Sequence, residues 1–469
     1  MSILMPWSLL VCAFAASPPD AAHLAAHADP GRIYRMVEAV TGPDCEGRLA
    51  GSEGYLKAAG KVAAALRASG VKPLAPDYLQ GFPSPWTRVR RLSLSATGPE
   101  GRPLEAVLFR DYAPMLFCGS GQAESEVVFA GFGMTSPKLG WDDYAGLDVQ
   151  GKVVMVLRGT PEARTGEDWT EVNSHRHRAE NARRRGAAGL LYIYLPVANP
   201  NGEYLPGFPM AMVGEGFAER LLAASGLDLK TLKGLLARRL PASLATGTRV
   251  RLETETDHMP QGRTANVVGW IPGSDPALRG EAVVLGAHLD HCGAWPVLMP
   301  GADDDASGVA AVVEAARLLA SSPVKPKRSI VFLVSSGEEQ GMVGAKHFLA
   351  NPPREIRRFR FMTFLDVMGA GDGVHVYGLK AEPGREAALR AMHRDLGLSM
   401  RLEGDAQKKV NNGDHGPFQD RDIPAVAIFG TGPHPTYHTD RDDLFRFTPR
   451  LALEAAQLAA LLTLRTANE

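Results

Sequence analysis

The sequence predicts an α/β protein: a mostly parallel central sheet with helices on both faces, interrupted by a smaller α/β or β-rich insert. Three observations predict it. From about Arg263 onward, short apolar runs alternate with segments of helical periodicity, the pattern of parallel strands joined by crossover helices. Between about Gly119 and Leu252 a separate strand–helix–strand pattern stands apart, as a small α/β unit would. The chain has 469 residues, more than one hydrophobic core organises, so two units, or one unit carrying an insert, are expected.

Residues Met1–Ser17 form a short apolar run ending in small residues, followed by Pro18 and Pro19. This is the pattern of a signal peptide that lacks a positively charged start, and it predicts a periplasmic or secreted protein. Nothing later reaches the roughly 20 uninterrupted apolar residues of a membrane span, so no membrane contact is expected once residues 1–17 are removed. Residues 18–118 form the first part of the main unit. There Tyr55, Ala59, Val62, Ala63 and Leu66 recur at helical spacing before a stop at Gly70,. From about Arg88 the chain alternates like a strand, as in Val89–Ser95,.

The insert, 119–252, reads as strands Val127–Ala130, Gly151–Leu157 and Gly189–Tyr194, with a basic helix from His175 to Arg185 ended by Gly186. The arginines 176, 178, 183, 184 and 185 read as a solvated helix face. The remaining segment, 253–469, holds strands Ala282–Gly286, Ile330–Val334, Phe361–Leu365, Val374–Tyr377 and Ala425–Phe429. Val309, Val312, Val313, Ala316 and Leu319 stripe one helix, and a last helix runs from about Pro449 to Leu464. The formal net charge is -1. No field draws such a chain to nucleic acid or anionic lipid. Four cysteines, Cys12, Cys45, Cys118 and Cys292, make no disulfide framework. A Cys45–Cys118 bridge is open but not required by spacing.

Polar residues gather where strands end. Ala287-His288-Leu-Asp290-His291 follows one strand, and Gly301-Ala-Asp303-Asp304-Asp305-Ala-Ser-Gly308 comes shortly after. Gly337-Glu338-Glu339-Gln-Gly341, Asp366 and Tyr437-His438-Thr439 follow three more. Each has an ordinary alternative: the aspartates would cap a helix, and a Glu-Glu pair commonly lies on a solvated face. Their concurrence points elsewhere. Carboxylates converging on one sheet edge repel unless cations lie among them. Carboxylates mixed with imidazoles suit zinc, and a carboxylate can bridge two ions.

In this order the five motifs resemble metallopeptidase family 28, the co-catalytic di-zinc aminopeptidases. Glu46–Gly54 resembles the opening segment of that family, and the insert resembles its protease-associated domain. The resemblance implies a phosphorylase/hydrolase-like fold and two zinc ions. His288 and Asp366 would bind the first, Glu339 and His438 the second, and Asp304 would bridge, with a cis peptide to Asp305. Asp290 would hydrogen-bond His288, Glu338 would act as general base, and Tyr437 would donate to the oxyanion. The implied substrate is a peptide that loses its N-terminal residue. His291 and Cys292 stay outside this set, since five residues complete it. Asp414-His415 is expected to shape the site wall, and the Trp295–Met299 loop to line the pocket.

Other readings predict different marks. A carboxypeptidase or dipeptidase would use the same chemistry. A one-zinc glutaminyl cyclase would lack the paired-metal motifs. The stretch between Glu339 and Asp366 is too short for the dimerising lid of some di-zinc relatives. A non-catalytic binding protein on this fold would have lost ligands, and none is lost.

Overall fold

The computed structural model describes residues 18–379, 384–404 and 412–469. The expected signal peptide, 1–17, lies outside the described residues. Among them, the main sheet has nine strands. The four at its centre are, in spatial order, Ser329–Ser335, Glu281–His288, Arg358–Asp366 and Ala425–Gly430, all parallel. Their residues are buried almost throughout, because helices cover both faces. Helices Pro30–Thr41, Glu53–Ala68, Gly308–Ser321 and Pro449–Asn468 form one apolar layer. Helices Val343–Ala350 and His415–Gln419 cover the other face, with Phe348 and Phe418 packed on Phe364 and Met362.

The expectation of a mostly parallel sheet holds for this centre and for the pairing of Gly373–Tyr377 with Arg401–Gly404, but not across the flanks. Arg263–Ile271 pairs antiparallel with Ser329–Ser335 on one side, and Gly373–Tyr377 pairs antiparallel with Ala425–Gly430 on the other. Antiparallel pairing needs no crossover helix and tolerates a partly exposed face, which suits the flanks of a sheet. The whole is a mixed sheet.

The insert is larger than 119–252. Its eight-stranded sheet runs in the order Pro103–Leu104, Trp86–Thr97, Leu244–Met259, Gly121–Phe129, Val153–Leu157, Gly189–Tyr194, Met210–Gly214 and Tyr112–Pro114. The boundary at 118 therefore cuts through a sheet. Trp86–Thr97 pairs along its length with Leu244–Met259, a register fixed only by contact between segments far apart in the chain. This unit has its own apolar core. The arginines of its basic helix, His175–Arg184, are solvated except Arg178, which is buried and donates to the Phe132 and Gly159 carbonyls. Cys45 lies in the first core and Cys118 in the second, and both are free thiols.

Candidate metal centre

The parallel strands deliver the site at their carboxyl ends. His288 and Asp366 are the last residues of their strands. Ser335 ends the neighbouring strand, and Glu338 and Glu339 follow it across a turn. Asp304 sits in the turn before helix Gly308–Ser321 and is joined to Asp305 by the expected cis peptide. His438 lies in the loop after the last strand, in left-handed backbone conformation (φ 54).

The five implied ligands converge and are all buried. His288 Nε2 lies 3.2 Å from Asp304 Oδ1 and 3.6 Å from Asp366 Oδ1. His438 Nε2 lies 2.9 Å from Asp304 Oδ2 and 2.7 Å from Glu339 Oε1. Asp304 thus turns one oxygen to each imidazole. Asp304 Oδ2, Asp366 Oδ1, Glu339 Oε1 and His438 Nε2 are buried without a hydrogen-bond partner. Buried polar atoms left this way are costly, and two zinc ions would satisfy all four. The donor set, imidazole and carboxylate, is one zinc accepts, so the residues fit.

The electrostatics agree. Burial alone would lower the imidazoles of His288 and His438, but the acidic groups around them override it and hold both well above the usual range. Burial pushes the Asp366 carboxyl up to about 6. In this arrangement protons sit where divalent cations would relieve the same charge.

The neighbouring aspartates are spoken for. Asp305 accepts from the backbone of His288 (3.2 Å), Gly308 (2.9 Å) and Val367 (3.3 Å). Asp303 accepts from Gly369 N at 2.6 Å and pairs with His434 Nδ1 at 2.5 Å. Of the three, Asp304 turns an oxygen to each imidazole, while Asp305 lies within reach of His288 and Asp366 with its oxygens engaged by backbone N–H groups.

Asp290 does not hold His288 as expected. Its carboxylate accepts from Glu338 N at 3.1 Å and Glu339 N at 3.2 Å. His288 Nδ1 instead lies 3.1 Å from the Asp290 backbone carbonyl, with the carboxylate 3.8 Å away. The two N–H groups of the turn face the carboxylate and take its lone pairs, leaving the carbonyl to set the ring. His438 is held in the same manner, its Nδ1 2.8 Å from the Ala198 carbonyl of the insert. Each ring thereby turns Nε2 to the centre.

Glu338, half-buried, and Tyr437 border a cleft of about 310 Å³ beside Glu339 and His438. Its opposite wall comes from the insert: Arg158, His175, Tyr194, Asn199 and Met212. The Trp295–Met299 loop is not among its lining residues. Trp295 packs under the Arg88 guanidinium, 4.1 Å away, and Met299 is buried in the insert's core, because both side chains find apolar cover there. Asp414 accepts from Ser335 Oγ, and burial pushes its carboxyl up to about 7; with buried His415 it backs the strand ends.

Two further residues stand at the centre: Arg48, which the sequence did not single out, and His291, which it set outside the ligand set. Arg48 is fully buried and donates to the carbonyls of Leu289 (2.7 Å), Pro300 (2.6 Å), Gly301 (2.8 Å) and Val40 (3.3 Å). It joins the loop after His288 to the loop before Asp304. Its signal was its place in Glu46–Gly54, to which only a resemblance was attached. His291 is the other, buried beside Asp304 and Glu339; its adjacency to Asp290 was the signal.

Residues 266–463 match Peptidase family M28. An aminopeptidase of Pseudomonas aeruginosa is 27% identical over 313 residues, covering 64% of this chain and 51% of its own. The chain spans about half the length of the curated relatives it matches. Among solved structures, a peptidase M28 precursor from Shewanella amazonensis superposes with TM-score 0.67 at 21% identity, covering 96% of both chains. A zinc aminopeptidase from Bacillus subtilis superposes with TM-score 0.62 at 19% identity, covering 96% of this chain and 95% of its own. These likenesses establish the fold over both units.

Proposed function

We propose that the protein, whose residues 266–463 match Peptidase family M28, is a di-zinc exopeptidase removing N-terminal residues from peptides. One observation carries the reading: buried Asp304 turns its two oxygens toward two separate imidazole–carboxylate pairs. His288 and Asp366 would hold one zinc, Glu339 and His438 the other, with Asp304 between them. Two such ions supply an attacking water acidified to near neutrality and a Lewis acid for the scissile carbonyl.

The chain's own residues do the rest. Glu338 stands beside the ligands, and burial raises its carboxyl well above the usual range. It takes the proton of the attacking water and delivers it to the departing amine. Tyr437, on the rim of the same cleft, donates a hydrogen bond to the developing oxyanion. Asp290 holds the Glu338–Glu339 turn by its two backbone N–H groups and so positions base and ligand together. Glu338 and Glu339 in the cleft wall favour a free α-amine, and the insert's wall limits how much chain the cleft admits.

The test is hydrolysis of aminoacyl chromogenic amides and of N-acetylated peptides, with and without chelator. Free-amine substrates should be cleaved, chelator should abolish cleavage, and added zinc should restore it. Cleavage confined to N-blocked substrates would assign the centre to a carboxypeptidase or endopeptidase instead.

A further inference from the structure

We propose that His291 is a fourth protein ligand of the second metal position, binding through Nδ1 beside Asp304, Glu339 and His438. The proposal rests on the reading of the centre as a two-metal site.

His291 is 0% exposed, and neither ring nitrogen has a hydrogen-bond partner. A buried imidazole in that state is costly unless something absent from the protein atoms satisfies it. Its surroundings indicate what that is. His291 Nδ1 lies 3.5 Å from Glu339 Oε1 and 3.8 Å from Asp304 Oδ2. These are the same two oxygens that face His438 Nε2. Donors bound tetrahedrally to zinc at 2.0–2.1 Å stand about 3.3–3.4 Å from one another. The separations to His291 are near that edge length. They are too long for hydrogen bonds of normal strength. The His291 and His438 rings stand edge to face, centroids 5.3 Å apart and planes at 86°, so neither blocks the other's approach to a shared centre.

The ring is also held in place. The His291 backbone N–H donates to the Arg48 carbonyl at 3.1 Å. A Cβ at Gly301 would lie 2.5 Å from His291 Cγ, so a glycine there lets the loop close over the imidazole. Cys292 belongs to the same cluster of potential donors, so a sulfur neighbour is a competing outcome the metal spectrum must read.

The consequence is an unequal pair. The first position has three protein ligands, His288, Asp304 and Asp366. The second would have four: Asp304, Glu339, His438 and His291. Sites closed by four protein ligands are typically structural, and those with three keep a position for water or substrate. The second position should therefore fill first and release its ion last, and the first should carry the exchangeable ion.

The decisive measurement is X-ray absorption on metal-free protein reloaded with one equivalent of zinc. Two imidazoles per zinc are expected; one imidazole, or a sulfur neighbour from Cys292, would overturn the proposal. A second measurement uses His291→Gln. Outer partners of metal ligands typically change affinity about 10–100-fold, so losing a true ligand should weaken the tighter binding step by more than about 100-fold. The cobalt(II) absorption spectrum of that step should also change. An unchanged cobalt spectrum would overturn the proposal. Should His291→Gln fail to fold, the imidazole count on the unaltered chain decides alone. Two imidazoles without peptide hydrolysis would defeat the exopeptidase reading and leave His291 a ligand. One imidazole with full hydrolysis would do the reverse.

Discussion

Glu338 and Glu339 are neighbours in the chain with different surroundings. The Glu339 carboxylate lies against the imidazoles of His438 and His291, while Glu338 faces the cleft. Replacing Glu338 with Gln should therefore leave two zinc ions per chain and remove the proton carrier. General acid–base groups contribute about 10²–10⁴-fold, and kcat should fall by that much with metal content unchanged. Elemental analysis alongside steady-state kinetics checks both halves; an undiminished kcat would take the base role away from Glu338. His288, Glu339 and Asp366 were legible because each ends or closely follows an apolar strand, where a polar residue stands out, whereas Asp304 and His438 were assigned through the family resemblance. The roles of Asp290 and His291 were not legible, since their partners depend on how a turn and a loop fold back on the strand ends. Nothing in His288-Leu-Asp290 indicates that the carboxylate would serve the Glu338–Glu339 backbone rather than the histidine ring.

At the scale of elements, Arg48 binds segments that arrive from opposite ends of the main unit. Its guanidinium holds the loops after His288 and before Asp304 through backbone carbonyls alone. The residue before it, Gly47, takes φ +63, and a Cβ there would lie 2.1 Å from the Gly293 carbonyl oxygen, so this segment can press against the metal loops only as glycine. Arg48→Met would keep much of the volume and leave several buried carbonyls without donors. Hydrogen bonds to a charged group are worth roughly 1.5–3 kcal/mol each, and orphaned acceptors add cost. A loss of about 3–5 kcal/mol, at the upper end for single substitutions, is expected in denaturant unfolding, with weaker zinc retention. A change below about 1 kcal/mol would mean the loops hold without the clamp. The parallel centre of the sheet was readable as apolar runs because helices bury it on both faces. The start of the insert was not. Trp86–Thr97 alternates like any half-buried strand, and only its pairing with Leu244–Met259 decides which sheet it joins.

Across the whole molecule, the two units share the centre. The Ala198 carbonyl, carried on the insert, accepts from His438 Nδ1, and Ala198 N donates to the His438 carbonyl at 3.0 Å. A metal on His438 would therefore tie the insert to the main sheet, and zinc should stabilise both units as one. The pH dependence follows from the charges it replaces. In the metal-free protein Asp366 is pushed up to about 6 by burial, so between about pH 4 and 6 the folded chain keeps a proton that the unfolded chain releases. His288 and His438, held well above the usual imidazole range, extend the same sign beyond about pH 6.5. Without metal the folded chain thus holds more protons than the unfolded chain, and stability falls as pH rises through this range. Zinc competes with those protons, so its effect grows as they leave. At a free concentration about 100-fold above its dissociation constant, each ion contributes about 2.7 kcal/mol. Calorimetry at pH 5 and pH 8, with zinc or with chelator, should show one cooperative transition whose zinc-dependent rise in Tm is larger at pH 8. A second transition indifferent to zinc would show that the insert melts apart from the centre it walls. A zinc effect equal at both pH values would mean the buried acids and imidazoles are not the groups that hold the metal.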